Sequence, residues 1–151
     1  MNIDSAGLEV LSPSECLALA STVPIGRIVF TERALPAVQP VSFVLDEGCV
    51  IIRTAEGTKL AEAIRSAIVA FETDEFDARA GAGWSVTVVG RAEAVRDPEE
   101  TARLSRLPLR VWAPGRPDRF IRVRPEYITG RRIPARTRPN GTTEGRHDPA
   151  D

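Results

Sequence analysis

The stretch "PIGRIVFTERALPAVQPVSFVLDEGCVIIRT", residues 24–54, decides the fold. Three apolar runs, "PIGRIVF", "PAVQPVSFVL" and "CVIIRT", are rich in Val, Ile and Phe, the residues that suit a pleated, half-buried surface. Between them stand only "TERAL" and, at Glu47–Gly48, "EG". Parallel neighbours need a crossover of a dozen or more residues, so links this short dictate an antiparallel meander. Pro40 lies inside the second run and has no N–H for a ladder bond, so that strand is expected to be an edge there or to carry a bulge.

Upstream, "LSPSECLALAST" reads as a short helix with Ser12 as cap, Pro13 in its first turn and Glu15 completing a capping box. Downstream, "TKLAEAIRSA" sets Leu60, Ala61, Ile64 and Ala67 on one helical face. "IVAFETD" is a fourth strand, "EFDARAGAG" a loop of small and polar residues, and "WSVTVVGRAEAVR" a long fifth strand with Gly90 as a bulge or bend. Asp97 and Pro98 open another helix with Glu100 at the capping-box position, and "RFIRVRPEYITGRRI" gives a final strand or pair. About six strands, mostly antiparallel, with short helices between them point to a small barrel, in which closure removes exposed edges. The segment "PARTRPNGTTEGRHDPAD" lacks apolar residues for a core and is expected to be disordered. The domain is thus placed at residues 1–133 and the tail at 134–151.

A chain of 151 residues is one ordinary domain. Its net charge of −1 argues against a general nucleic-acid binder. No apolar run approaches a membrane span and the N-terminus lacks a leader pattern, so a soluble, cytoplasmic protein is expected. Cys16 and Cys49 lack zinc or CxxC spacing and read as buried thiols. The one histidine, His147, falls in the expected tail, which excludes Ser–His and Cys–His nucleophilic machinery and His-ligated metal from an ordered site. Neither GxGxxG nor GxxxxGK[ST] occurs.

One motif stands out. Lys59 is the only lysine beside nineteen arginines, and it follows the pair Arg53–Thr54 in "RTAEGTK". A strand end, a turn and a helix start that Thr58 can cap would bring a guanidinium, an ammonium and unpaired backbone N–H groups together, which is the chemistry of a phosphate site. The alternative for these residues alone is a surface Arg and Lys on either side of a turn.

The set "GRIVF", "PAVQPVSFVL", "IIRTAEGTKL", "VAFETDEFD", "GWSVTVVGRAEAV" and "ITGRRI", in this order, resembles the pyridoxamine 5′-phosphate oxidase-like family over roughly Leu11 to Ile133. The resemblance implies a mainly β, six-stranded antiparallel split β-barrel of Greek-key type with short peripheral helices. It also implies an FMN-dependent oxidoreductase acting on a small molecule, with the cofactor at the interface of a homodimer. It assigns the flavin phosphate to Arg53, Thr54 and Lys59, and the isoalloxazine ring to the segment Val41, Ser42 and Phe43, with simple strand packing the alternative for Ser42 and above all for Phe43. Trp84 and Ser85 are assigned to contacts from the second subunit, although an ordinary core or interface aromatic is an equal reading of Trp84. Trp112, Arg131 and Arg132 are further candidates to flank the pocket; for the two arginines a solvated strand end serves equally well.

The resemblance stops short of vitamin B6 oxidation. The family's oxidases carry a C-terminal substrate stretch with arginine and histidine, where this chain has "ITGRRI" and a polar tail. The histidine linked to nitroimidazole-resistance relatives has no counterpart either. The rival readings are a deazaflavin-dependent reductase of the same fold and a flavin- or haem-binding module without turnover.

Overall fold

The computed structural model describes residues 2–54, 60–61, 64, 66–109 and 119–135. The elements with described bounds are, in order, β1 (Asn2–Ile3), β2 (Glu9–Val10), α1 (Pro13–Ala20), β3 (Ile25–Glu32), β4 (Leu35–Asp46), β5 (Cys49–Thr54), β6 (Ile68–Asp77), β7 (Ala82–Ala94), α2 (Pro98–Leu104) and β8 (Arg119–Ile133). Of the helix expected after residue 58, Leu60 and Ala61 are helical, and Ile64 N–H donates to the Leu60 carbonyl at 3.0 Å. The remainder of that segment, with Thr58 and Lys59, lies outside the described residues, as do Trp112 and all but the first two residues of the expected tail.

The meander forms as the short links require. Both hairpin loops have only two residues, Arg33–Ala34 and Glu47–Gly48, so "TERAL" is mostly strand. All four residues have positive φ, 50° and 63° in the first loop and 50° and 77° in the second. That backbone matches the right-handed twist of the flanking strands. Six strands close into a ring, β8-β5-β4-β3-β6-β7-β8, with every pair antiparallel. The expected six-stranded split barrel is the fold. β4 is shared: residues 35–42 pair with β3, while residues 43–46 pair with β5. Pro40 therefore sits where β4 has only β3 as a ladder partner, as an edge position demands.

The core lies inside the ring. Ile28, Phe30, Val41, Phe43, Val50, Ile52, Val69, Phe71, Val86, Val88, Ile121 and Val123 alternate along their strands to reach it. Phe71 meets Phe43 edge-on, with ring centroids 4.7 Å apart. Gly26 makes room for this: a Cβ there would stand 2.1 Å from the Phe71 Cζ. A smaller cluster of Ile51, Leu104 and Phe120 sits under α2 on the outer face of β5 and β8. Cys16 is buried in the main core, and burial pushes its thiol pKa up.

The structure adds to the sequence reading in four places. The N-terminal hairpin β1–β2 pairs with β8 through Glu9 and Val10, and was not foreseen. The loop "EFDARAGAG" is mostly hairpin, because Glu75, Phe76 and Asp77 pair with Trp84, Gly83 and Ala82. Phe76 lies over Gly83, where a Cβ would come within 2.1 Å of the ring. The last segment is one strand of 15 residues, with its register shift opposite Val89 and Gly90. Both helix caps form: Ser12 Oγ accepts from Glu15 N–H and Asp97 Oδ1 from Glu99 N–H. Glu100 does not serve that cap. Its carboxylate accepts instead from Arg103 at 2.6 Å and from Arg122, and Arg103 also grips Asp46 at 2.7 and 3.0 Å. This network ties α2 to β4 and β8.

Candidate functional site

Strand parity sorts the candidate residues. Residues opposite one another in an antiparallel pair put their side chains on one face, and the next residue along points the other way. Ser42 faces Ile25, Arg53 faces Phe120, and Ser85 lies between Asp74 and Arg131. Phe43 is opposite Ile52, the last pair of the β4–β5 ladder, and Ser42 and Arg53 are the next residues on the two strands beyond it. Ser42, Arg53 and Ser85 all belong to the outer face of the barrel. Val41, Phe43, Thr54 and Trp84 alternate with them and are buried, Val41, Phe43 and Trp84 within the main core.

This division fixes what each residue can offer. The side chains of Val41 and Phe43 pack the core, so a ligand on the outer face meets that segment through its backbone and through Ser42. The Arg53 guanidinium lies 5.5 Å from the centre of the Phe120 ring, which steadies it at the end of β5. Trp84 is only 8% exposed, and as a side chain it is a core aromatic in this chain. Ser85 stays half-buried on the outer face. Arg131 donates to Asp4 at 2.9 Å and Arg132 to Glu9 at 3.4 Å, so both hold the N-terminal hairpin. Lys59 and Trp112 lie outside the described residues.

The outer face of β4, β3, β6, β7 and β8 has a further order that the sequence alone did not reveal. One row across these strands is apolar: Val38, Val29, Ala70, Val89 and Tyr127 stand opposite each other in turn. Its two ends, Val38 and Tyr127, are 62% and 68% exposed. The next row carries Pro40, Arg27, Glu72, Thr87 and Thr129. Arg27 donates to Glu72 at 3.0 Å and to Asp74 at 3.1 Å. Burial, then the adjoining Asp74 carboxylate, raises the Glu72 pKa to about 7 against the pull of Arg27. The signal in the sequence was the alternation Glu72–Thr73–Asp74, which sets two carboxylates on one face of a strand.

Comparison with known proteins agrees with this architecture. A family model described as pyridoxamine 5′-phosphate oxidase matches residues 12–132. The chain is 42% identical over 133 residues to the uncharacterized protein Rv0080 of Mycobacterium tuberculosis, covering 85% of this chain and 87% of that one. Among solved structures, the FAD binding protein from Mycobacterium smegmatis is 41% identical, with a TM-score of 0.72, covering 82% of this chain and 97% of that one. A Corynebacterium glutamicum structure named as a candidate pyridoxamine 5′-phosphate oxidase is 35% identical, with a TM-score of 0.77, covering 87% and 96%. A closed six-strand barrel, a match along nearly all of its strands and relatives of this similarity lead to one conclusion: the chain belongs to the pyridoxamine 5′-phosphate oxidase-like family.

Proposed function

We propose that this protein binds a flavin nucleotide on the outer face of β4 and β5 and works as a flavin-dependent oxidoreductase in a two-fold dimer. The observation that carries the reading is the placement of Ser42 and Arg53, both half-buried, on the outer face at the end of the β4–β5 ladder, beside a strand segment that offers a planar ring its backbone and the Ser42 side chain. FMN and FAD carry a phosphate at the same point of the ribityl chain, so Arg53 serves either, with Lys59 as the second cation the sequence supplies. The sequence resemblance favours FMN. The 41% identical relative is an FAD binding protein, and this inclines the assignment to FAD.

The residues present fit such a group. A phosphate needs a fixed guanidinium more than a mobile one, and the Phe120 ring holds this one in place. When bound, the flavin supplies hydride or electron transfer. The chain's own part is to grip the phosphate, to present the Val41–Phe43 backbone to the ring's polar edge and to keep water from one ring face. The described residues hold no histidine, and this chemistry needs no acid–base pair from them.

The apolar row from Val38 to Tyr127 supports the dimer. It crosses five strands uncovered by any helix among the described residues, and a two-fold contact would bury it against its own copy. The deciding experiment is mass spectrometry of the small molecule that copurifies, with titrations of FMN, FAD, riboflavin and a deazaflavin cofactor. Sedimentation should give twice the 16.4 kDa chain mass. A colourless monomer that binds none of the four refutes the reading. Bound cofactor without turnover in a screen of reduced nicotinamides, reduced deazaflavin and electron acceptors leaves the protein a binding module.

A further inference from the structure

Glu72 and Asp74 stand on one outward face of β6 and draw on the same guanidinium nitrogen. Arg27 Nη1 donates to Glu72 at 3.0 Å and to Asp74 at 3.1 Å. With both carboxylates ionised the trio carries one net negative charge, and a single proton makes it neutral. β3 supplies Arg27, and β7 sets Thr87 opposite Glu72 and Ser85 opposite Asp74. Beyond them lie Pro40 of β4 and Thr129 of β8. Thr129 is flanked on that face by Tyr127 and by Arg131, whose guanidinium is held by Asp4 at 2.9 Å.

The trio borders the apolar row that runs from Val38 to Tyr127. That row is too small to be an interface by itself. Five strands about 4.8 Å apart and a side-chain repeat of roughly 7 Å give on the order of 160 Å². A stable contact takes about 800 Å² from each partner. A copy seated on the row must therefore cover the rows beside it, and Glu72 is the next outward residue after Ala70, the middle of the row. The Glu72 and Asp74 side chains still keep 26% and 29% of their exposure, so a covering copy has water to remove from both. Losing that water disfavours the ionised form of a carboxylate. A two-fold contact uses the same patch twice, so it also gathers two such trios, each with its surplus negative charge, into one interface.

We propose that this trio makes the dimer a proton-linked assembly: each protomer takes up a proton at the Glu72–Asp74 pair as the two copies close, so the dimer tightens in mild acid and loosens in mild alkali. This link rests on the dimer reading above. In the single chain, burial and then Asp74 already raise the Glu72 pKa to about 7, and closure raises it further by taking away the remaining water. The two carboxylates share one guanidinium, so the proton belongs to the pair. A group with a higher pKa in the dimer than in the monomer binds protons on association. The dissociation constant is therefore flat below both values and rises with pH between them. With one proton taken up by each of two protomers, the steepest slope is roughly a hundredfold per pH unit.

The test is sedimentation of the full chain with its copurified cofactor, diluted in steps at pH 6, 7, 8 and 8.5. The dimer dissociation constant should be at least tenfold larger at pH 8.5 than at pH 6. Subunit exchange between two differently labelled preparations reads a dimer that dilution does not split, and it should be at least tenfold faster at pH 8.5. Glu72→Gln, which resembles the protonated residue, should hold the tight pH 6 value at every pH. Asp74→Asn leaves one carboxylate for one guanidinium and should flatten the rise as well. A dimer whose dissociation is unchanged across this range, is weaker at pH 6, or depends on pH equally in Glu72→Gln keeps the two-fold reading and overturns the proton link. A monomer at every pH refutes the dimer itself, and the link with it.

Discussion

Gly26 and Phe71 form a pair whose coupling can be calculated in outline and measured. A methyl group at residue 26 would lie 2.1 Å from Phe71 Cζ, 2.5 Å from Cε2 and 3.0 Å from the Glu72 carbonyl. Phe71 is only 1% exposed and its ring is wedged against Phe43, so it cannot swing into solvent. Gly26→Ala should therefore cost roughly 1–3 kcal/mol, the usual range for overpacking. Phe71→Leu shortens the side chain at the point of collision; loss of the ring's contacts should cost about 1–3 kcal/mol, less than the roughly 3–5 of complete truncation. In the double variant the leucine leaves room for the methyl. The combined loss should fall short of the sum by about 1–2 kcal/mol, well above the scatter of independent sites. Urea unfolding of all four proteins, with equal m-values as the check on two-state behaviour, gives the cycle. Additive losses within about 0.5 kcal/mol would refute the close approach and with it the account of why a glycine stands in β3. Because Phe43 touches Phe71 and belongs to the proposed flavin segment, the single variants should also weaken cofactor retention.

Three further predictions concern charge. Arg53→Ala should weaken FMN and FAD by roughly 1.5–3 kcal/mol, about one to two decades in Kd, and leave riboflavin nearly unaffected, since riboflavin has no phosphate; equal losses by fluorescence titration would move Arg53 to the ring. The Glu72 pKa, raised to about 7 from 4.5, means that the folded state holds a proton the unfolded chain releases. Its stabilising contribution is complete below the unfolded value and fades as pH rises through about 7, so Glu72→Gln should raise the melting temperature at pH 8 and flatten the pH profile; a profile unchanged by this variant would refute the assignment. Glu100 behaves oppositely: the Arg103 and Arg122 guanidiniums lower its pKa to about 2, so its contribution is present above about 4.5 and is lost as pH falls through about 2. Arg103→Ala should lower stability at pH 6 and weaken the dependence on acid, as followed by circular dichroism; an unaltered acid limb would show that α2 is held by its apolar contacts alone.

Local chemistry carried much of this protein's structure. Two-residue loops left no geometry but antiparallel pairing for β3, β4 and β5, and Pro40 marked the edge because it lacks an N–H. Ser12 and Asp97 marked their helices because short oxygen side chains satisfy unpaired N–H groups. Arg53 was singled out by the strand end and turn beside it. These features depend on residues close in the chain, so they are legible without coordinates.

What remained was settled by contacts between distant residues. A side chain's face reverses with each step along a strand, so the division of Ser42 and Arg53 from Phe43 and Thr54 depends on where the ring of strands closes. Closure joins β8 to both β5 and β7, far apart in sequence. The same registers turn Trp84 into the core and line up Val38 with Tyr127, residues no local period connects. β4 outruns β3 past Phe43 because β3 begins at Ile25 while β4 runs on to Asp46, a mismatch of strand ends that appears only when the two are paired. The sequence determined which elements form and which residues carry charge. Only the tertiary structure decided which face each residue serves, because burial and register belong to the closed barrel and not to any one strand.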